Sequence, residues 1–304
     1  MDLPEIGGRT PWHLFDRESV LAVNTALDCG RPLLIRGDPG TGKSQLARAA
    51  AKKLGRVFLS RVVDAHTEAH ELLWEYDALA RLSDAQTLGV ARRRQTRDRL
   101  ARANYTQPGP LWWALDWDSA MRQAQRASIE APKSGFGRRE NGVVVLIDEI
   151  DKADVAVPNA LLECLGHGSF TVPGIGQQVC AKEPAPLIIL TTNTNRILPD
   201  AFVRRCVVLH VRVPEDGLIE WLVKRGRPHF PELPEDVLRR AAEQLKTDRA
   251  RLGSRAFCAP GLAEYIDLLT AAVRGGAEQA EARLASIARF VLDKHIDPGP
   301  MNEQ

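Results

Sequence analysis

Short, unbroken apolar runs recur along the first two thirds of the chain, and each gives way to polar residues. Continuous runs of this length, without polar alternation, are typical of parallel strands buried on both faces of a sheet. The stretches around the first run, near residues 17–28 and 45–51, have helical patterns instead. The chain is therefore predicted to form an α/β fold around a parallel sheet. The predicted strands are 33–36, whose apolar run ends before Arg36, and 57–59, 143–147 and 187–190.

The hydrophobic pattern changes after residue 214. Strand-like runs stop, and apolar residues recur at helical spacing. Two domains are therefore predicted: an αβα core over 1–214 and a small α-helical domain over 215–304. The link at 61–142 is long for a connection between two strands, and we expect it to hold an insertion. The helical repeats fall at 237–245, 262–273 and 284–291.

The octapeptide at 37–44 fits the pattern Gly-x4-Gly-Lys-[Ser/Thr], and it stands between a predicted strand and a predicted helix, as a phosphate-binding loop requires. Glycines allow the backbone to approach a ligand closely, and the loop amides with the helix N-terminus attract an anion. Lys43 is expected to reach the β- and γ-phosphates and Ser44 to ligate Mg²⁺. ATP and Mg²⁺ are the cofactors predicted. The expected nucleotide contacts are Gly37, Asp38, Pro39, Gly40, Thr41, Gly42, Lys43, Ser44 and Gln45.

Two acids, Asp148 and Glu149, follow the third run, and Asn193 follows the fourth. The carboxyl ends of strands are where open α/β sheets bind ligands. We expect Asp148 to hold Mg²⁺, Glu149 to polarise the attacking water, and Asn193 to orient that water. The alternative is a purely structural role. The two acids would then belong to the first turn of a helix, which favours acids, and Asn193 would be a turn residue.

Two adjacent arginines, Arg204 and Arg205, follow 198–203. Phosphoryl transfer needs a cation for the charge that develops in the transition state, and a neighbouring subunit often supplies it as an arginine. The alternative is a solvated helix end.

In their order along the chain, these motifs resemble those of the AAA+ ATPases, and among them the MoxR-like ATPases, over about residues 31–214. The resemblance implies a P-loop NTPase core with a helical lid. It also implies Mg²⁺-dependent ATP hydrolysis in a ring, expected to be a hexamer, in which Arg205 or Arg204 is the finger. The specific motifs are PGPLWWAL at 108–115, DEIDKA at 148–153, NALLE at 159–163, FTVPG at 170–174 and LPDAF at 198–202.

MoxR-like proteins commonly act as chaperones that remodel or activate a partner, often one with a von Willebrand factor A domain. By this resemblance, hydrolysis would swing the lid and move a hairpin at 170–178 toward a central pore. One position departs from the family pattern: Ala263 stands where related lids often carry an arginine that senses the γ-phosphate. Arg255 is a candidate substitute. A nucleotide-dependent scaffold with little hydrolysis is therefore kept as an alternative.

The composition is ordinary for a soluble globular protein, with 44% hydrophobic and 26% charged residues. The net charge of +2 gives no global field that favours nucleic acid or an anionic membrane. No apolar run approaches the roughly 20 residues of a membrane helix, and the N-terminus lacks a signal pattern. The five cysteines contain no Cys-x-x-Cys pair, which indicates free thiols. We therefore expect a cytoplasmic protein without a membrane segment.

Two further patterns leave alternatives open. The basic stretch Arg92–Arg102 suits a solvated or intersubunit surface, but such a stripe also suits phosphate contact. A nucleic-acid-stimulated ATPase of a defence or DNA-processing system is therefore the second hypothesis. His66 and His70 share the spacing of metal ligands on a helix, although the sequence shows no third ligand.

Overall fold

The structure is a computed structural model. It describes residues 12–88, 98–133, 135, 137–193, 198–252, 259–274 and 279–292. The described residues form two compact units. The sheet unit comprises those within 15–36 and 46–210, and the lid unit comprises those within 1–14, 37–45 and 211–304.

Strands in the described residues are numbered in chain order. They are β1 Leu33–Gly37, β2 Val57–Val62, β3 Trp74–Tyr76, β4 Thr106–Pro108, β5 Val143–Asp148, β6 Ser169–Val172, β7 Gln177–Cys180, β8 Leu187–Thr192 and β9 Val207–Val211. The α-helices are α1 Arg17–Cys29, α2 Lys43–Leu54, α3 Ala78–Leu88, α4 Pro110–Leu115, α5 Trp117–Arg126, α6 Ala156–His167, α7 Asp200–Val203, α8 Leu218–Gly226, α9 Glu235–Leu252, α10 Leu262–Val273 and α11 Ala280–Val291.

The main sheet has five strands in the order β2-β5-β8-β1-β9. Strand β5 pairs in parallel with β2 and with β8, and β1 pairs in parallel with β8. The predicted parallel sheet is thus confirmed, including its four sequence-derived strands. Strand β9 was not predicted, although Val207–Val211 is itself an apolar run with a single histidine.

Burial on both faces explains why β5 is apolar without interruption. Its five apolar side chains, Val143–Ile147, are at most 3% exposed, and Ile189 and Leu190 of neighbouring β8 are fully buried. Each such side chain contributes roughly 1.5–3 kcal/mol when it leaves water. The polar residues that follow these apolar runs are therefore the first along each strand whose side chains can take part in a reaction.

The stretch 61–142 contains an antiparallel ribbon of β3 and β4 together with helices α3, α4 and α5. Arg102, at the base of this ribbon, places its guanidinium carbon 4.5 Å from the centre of the Tyr76 ring. The same side chain packs on Gly174, where a Cβ atom would lie only 2.6 Å from the Arg102 Cδ. Most of the basic stretch Arg92–Arg102 lies outside the described residues.

Gly174 belongs to the turn of a second antiparallel hairpin, β6–β7, which confirms the hairpin predicted at 170–178. Its φ of +80° is a left-handed conformation that glycine tolerates. Because Arg102 contacts both the Tyr76 ring and this turn, it ties the insertion to the tip of the hairpin. We call this pair of contacts the arginine clip.

The lid unit has its own core between α8, α9, α10 and α11. Leu222, Leu238, Tyr265 and Leu268 are fully buried there. The Tyr265 hydroxyl donates a hydrogen bond to the Leu238 carbonyl at 2.9 Å, which satisfies the polar end of this buried ring. The predicted helical pattern over 237–245 is confirmed, since its apolar positions face this core. The predicted domain boundary at 214 stays a prediction.

None of the described helices combines the length and apolar character needed to cross a membrane.

Candidate nucleotide-binding site

The phosphate loop of the lid unit wraps around the Lys43 side chain. Lys43 is only 8% exposed, and its ammonium donates hydrogen bonds to the carbonyls of Gly37 at 2.8 Å and Asp38 at 2.9 Å. The Thr41 hydroxyl donates to the same Asp38 carbonyl at 2.8 Å. These bonds fold the loop back over the first turn of α2, which begins at Lys43. A buried cation at a helix N-terminus is a suitable arrangement for an anion.

Two glycines shape the opening of this loop. Gly40 and Gly42 have φ values of +74° and +90°, which side-chain-bearing residues rarely adopt. A Cβ atom at Gly42 would meet no other atom within 4 Å, so the space beside it is open. The loop therefore has the cation, the helix terminus and the room that a phosphate group requires.

Gly37, the first residue of the loop, is glycine for a different reason. A Cβ atom there would lie 2.2 Å from the carbonyl oxygen of Val211, closer than any real contact. The loop thus starts where the backbone of β9 passes directly against it.

The lid unit also brings the N-terminus of α10 onto the phosphate loop. The Ala263 amide donates a hydrogen bond to the Gly40 carbonyl at 3.1 Å. The Ala263 Cβ is 2.9 Å from where a Cβ on Gly40 would stand. The Glu264 carboxylate caps the helix by accepting from the Gly261 amide at 2.8 Å. The position at which a lid arginine is expected is therefore an alanine in direct contact with the loop, and the candidate substitute Arg255 lies outside the described residues.

The sheet unit brings the predicted acids together at the ends of β5 and β8. Thr191, which is fully buried, accepts a hydrogen bond from the Glu149 amide at 2.9 Å. Its hydroxyl donates to the Asp148 carboxylate through a short bond. One hydroxyl thereby fixes the Asp148 side chain and the Glu149 backbone at once.

Glu149 itself has an unusual backbone, with φ of 61° and ψ of 43°. A residue other than glycine in this left-handed region carries roughly 1–3 kcal/mol of strain, and such strain clusters at functional sites. The conformation turns the chain sharply after β5, where the short 3₁₀ turn Ile150–Lys152 begins.

Both oxygens of the Glu149 carboxylate have partners. The Lys152 ammonium lies 2.6 Å from one of them, and the Asn193 amide nitrogen donates to the other at 3.4 Å. The hydrogen bond to Glu149 raises the pKa of Lys152 above its ordinary value. Asn193 is held in turn because its backbone amide donates to the buried Asp151 carboxylate at 3.2 Å. The structure thus brings Asn193 to Glu149, as the motif order suggests.

A further cation, Arg48, interacts electrostatically with Asp148. Burial lowers the pKa of the Arg48 guanidinium, and the negative charge of Asp148 opposes that shift. The guanidinium also lies over the Phe58 ring at 4.9 Å. Sequence reasoning missed Arg48, although it stands one helical turn after Ser44 and so shares its helix face.

Sequence reasoning also missed Thr191 and Lys152. Thr191 stands two residues before Asn193 near the end of the same strand, where alternate residues share a face, so its position was a usable signal. Lys152 lies three residues after Glu149. The turn that joins them depends on the left-handed backbone conformation of Glu149, which no sequence pattern predicts.

Arg204 and Arg205 follow the short helix α7, which is anchored by the fully buried Phe202. Both arginines are exposed on the sheet unit. The Arg205 Nε is 3.9 Å from where a Cβ on Gly166 would stand, so this side chain runs along α6. Neither arginine is buried, so both stay candidates for the finger.

His70, one of the two histidines with ligand-like spacing, stacks on Trp74 with ring centres 4.8 Å apart and lies 3.1 Å from Glu68.

No curated protein matches the sequence. Among solved structures, a crystal structure of a candidate ATPase from Cytophaga hutchinsonii aligns with 14% identity and a TM-score of 0.41, covering 90% of this chain and 79% of that one. The model of the AAA domain (dynein-related subfamily) matches residues 32–206, which is more than half of the chain. The chain therefore belongs to the dynein-related subfamily of AAA domains and is an AAA+ ATPase with a nucleotide-binding core.

Proposed function

We propose that this protein is a MoxR-like AAA+ ATPase that uses Mg²⁺-dependent ATP hydrolysis to remodel or activate a partner protein, working as a ring that we expect to be a hexamer. The main support for this proposal is the position of the Glu149 carboxylate beside the Asn193 side-chain amide at the ends of β5 and β8. A carboxylate and an amide in this relation suit the activation and orientation of a water molecule.

The phosphate loop supplies nucleotide binding in this proposal. The backbone amides of the loop at 37–45, apart from Pro39, which has no N–H, bind the phosphates together with the Lys43 ammonium. The open space at Gly42 and the buried cation support this role. Ser44 and Asp148 are the proposed Mg²⁺ ligands, since hydroxyl and carboxylate oxygens are what this ion prefers. When bound, Mg²⁺ neutralises phosphate charge.

Hydrolysis is assigned to the sheet unit. Glu149 accepts the proton of the attacking water, and Asn193 holds that water in line. General base catalysis of this kind contributes roughly 10²- to 10⁴-fold. Thr191 keeps Asp148 and Glu149 in register, so that metal binding and water activation are built on one strand end.

The charge of the transition state needs a cation, and Arg205 or Arg204 of the neighbouring protomer is proposed to supply it. Both are exposed on the sheet unit, which supports a role toward another subunit. An arginine supplied in this way contributes roughly 10³- to 10⁵-fold.

A mixing experiment tests this arrangement. Two variants, Glu149→Gln and the double variant Arg204→Ala/Arg205→Ala, are each expected to hydrolyse little ATP while still binding it. Mixed in equal amounts, they should recover about a quarter of wild-type turnover, because that share of interfaces pairs an intact Glu149 with an intact arginine.

The matched control mixes Glu149→Gln with Lys43→Ala. Both residues belong to the same protomer's half of the site, so no interface is complete and no recovery is expected. No recovery in the test mixture would contradict a finger that acts between subunits, and recovery in the control would contradict the placing of Lys43 and Glu149 in the same half of the site. Single variants at Arg204 and Arg205 then identify which one acts.

Turnover should also rise steeply with protein concentration, because assembly completes the sites. Turnover near zero at every concentration would instead favour the nucleotide-dependent scaffold.

The partner is proposed to be a protein client reached through an adaptor, of the von Willebrand factor A class. The MoxR-like motifs support this class, and the exposed tip of the β6–β7 hairpin offers a contact surface. We expect a protein of this class encoded beside the present one to raise turnover severalfold. Failure of every such neighbour to bind or stimulate the ATPase would contradict this part of the proposal.

A further inference from the structure

The ion pair between Lys152 and Glu149 stands out among the contacts of the candidate site. A general base must accept a proton, yet an ammonium lies 2.6 Å from one of its two oxygens. The Asn193 side-chain amide lies 3.4 Å from the other oxygen, so each carboxylate oxygen already has a partner. A water molecule therefore reaches the Glu149 carboxylate only in competition with Lys152 or Asn193.

The two partners of Glu149 differ in how easily they can leave. Asn193 follows a buried strand, and its backbone amide donates a hydrogen bond to the Asp151 carboxylate, which fixes the residue that carries the side-chain amide. The Lys152 side chain is 53% exposed, so its ammonium can swing into water and be hydrated there, whereas breaking a fully buried pair would leave an uncompensated buried charge. The Glu149 backbone is clamped by Thr191 and does not need to move for the ammonium to depart.

We propose that Lys152 is a positioning residue that holds Glu149 in a resting orientation, and that release of this ion pair precedes water activation. The inference rests on the proposed role of Glu149 as the base. It adds a restraint on that base, supplied by the same protomer three residues along the chain. Loss of the lysine therefore speeds the chemical step and leaves nucleotide binding unchanged.

The test compares Lys152→Met, which keeps the chain length and removes the charge, with Lys152→Arg, which keeps the charge. Single-turnover hydrolysis at saturating ATP isolates the chemical step, and binding of a fluorescent ATP analogue is measured separately. Lys152→Met should be faster by about two- to fivefold, the size expected for release of an exposed ion pair, with unchanged affinity. Lys152→Arg should stay near the wild-type rate.

Lys224→Met is the matched control, because Lys224 is an exposed lysine of the lid unit. It should leave both the rate and the affinity unchanged. A Lys152→Met variant that is slower than the wild type, or equal to it, overturns the restraint.

A double variant separates this inference from the function on which it rests. Glu149→Gln/Lys152→Met should be as inactive as Glu149→Gln alone. If the double variant keeps the faster rate of Lys152→Met, then Glu149 is not the base, and the proposed function fails. If Glu149→Gln is inactive and Lys152→Met is not faster, only the restraint fails.

Discussion

Thr191 illustrates how a single buried hydroxyl can organise the edge of a candidate site. It donates to the Asp148 carboxylate and accepts from the Glu149 amide, so it bridges two neighbouring residues with different proposed tasks. Because Thr191 is fully buried, the alternative of water as a partner is removed. The position of both acids therefore depends on a residue that performs no chemistry itself.

Thr191→Val should reduce the rate of hydrolysis about 10- to 100-fold, since a hydrogen bond to a charged group contributes roughly 1.5–3 kcal/mol. Valine preserves the shape of threonine, so the thermal midpoint should fall by only a few degrees. The measurement is single-turnover ATP hydrolysis beside a melting curve.

The control for this change is Thr25→Val on α1, where the hydroxyl only bonds the Leu21 carbonyl within its own helix. That variant should hydrolyse ATP at the wild-type rate. Equal rates for both variants would mean that Thr191 does not hold the acids.

At the residue scale, the placement of the candidate residues was predictable and their local geometry was not. Asp148, Glu149 and Asn193 are placed along one edge by the sequence because strand ends of a parallel sheet meet there, and their roles stay predictions. The contact of Lys152 depends on the left-handed backbone of Glu149. Propensity gives no warning of such a conformation in a glutamate, because it is strained there.

At the scale of elements, the strands β1, β2, β5 and β8 were predictable because burial on both faces of a sheet requires a continuous run of apolar residues. Strand β9 was missed because His210 interrupts its apolar run. The ribbon β3–β4 was also missed, since strands of three residues are too short to show a periodicity. Contacts between elements, such as that of α10 with the phosphate loop, involve backbone atoms and leave no sequence pattern.

The contact between α10 and the loop leads to a prediction about Gly40. In the Gly40→Ala variant, alanine would have to adopt a φ of +74°, and its Cβ would clash with the Ala263 Cβ. The affinity of this variant for ATP should therefore fall strongly. Adding Ala263→Gly removes the clash and should recover part of the loss, leaving roughly the 1–2 kcal/mol cost of the left-handed backbone.

Gly42→Ala is the matched control, because its φ of +90° is equally strained but no atom lies within 4 Å of its added methyl group. Ala263→Gly should not improve binding in that background. The measurement is ATP affinity across all four combinations, and equal recovery at Gly40 and Gly42 would argue against a specific contact with Ala263.

At the scale of the whole molecule, each compact unit has a hydrophobic core of its own. In the lid unit, Leu268 is fully buried between the helices. Leu268→Ala should lower the free energy of unfolding by about 2–5 kcal/mol, through lost burial and the cavity that remains. Urea denaturation measures this change.

Leu79→Ala serves for comparison, because Leu79 is 81% exposed on α3. The same truncation there should alter the free energy of unfolding by less than about 0.5 kcal/mol. Similar losses at both positions would mean that Leu268 is not part of a packed core.

The arginine clip has a consequence for how this fold can change over time. Arg102 and Gly174 are distant in the chain, yet an alanine at 174 would collide with the arginine side chain. The two positions should therefore be coupled among relatives: losing the arginine removes the collision at position 174, where the φ of +80° still favours glycine, asparagine or aspartate over other residues. A chimaera that carries the insertion of a relative should depend on the same pair of positions. If the grafted insertion lacks the arginine, the hairpin of the recipient loses the contacts of the arginine clip.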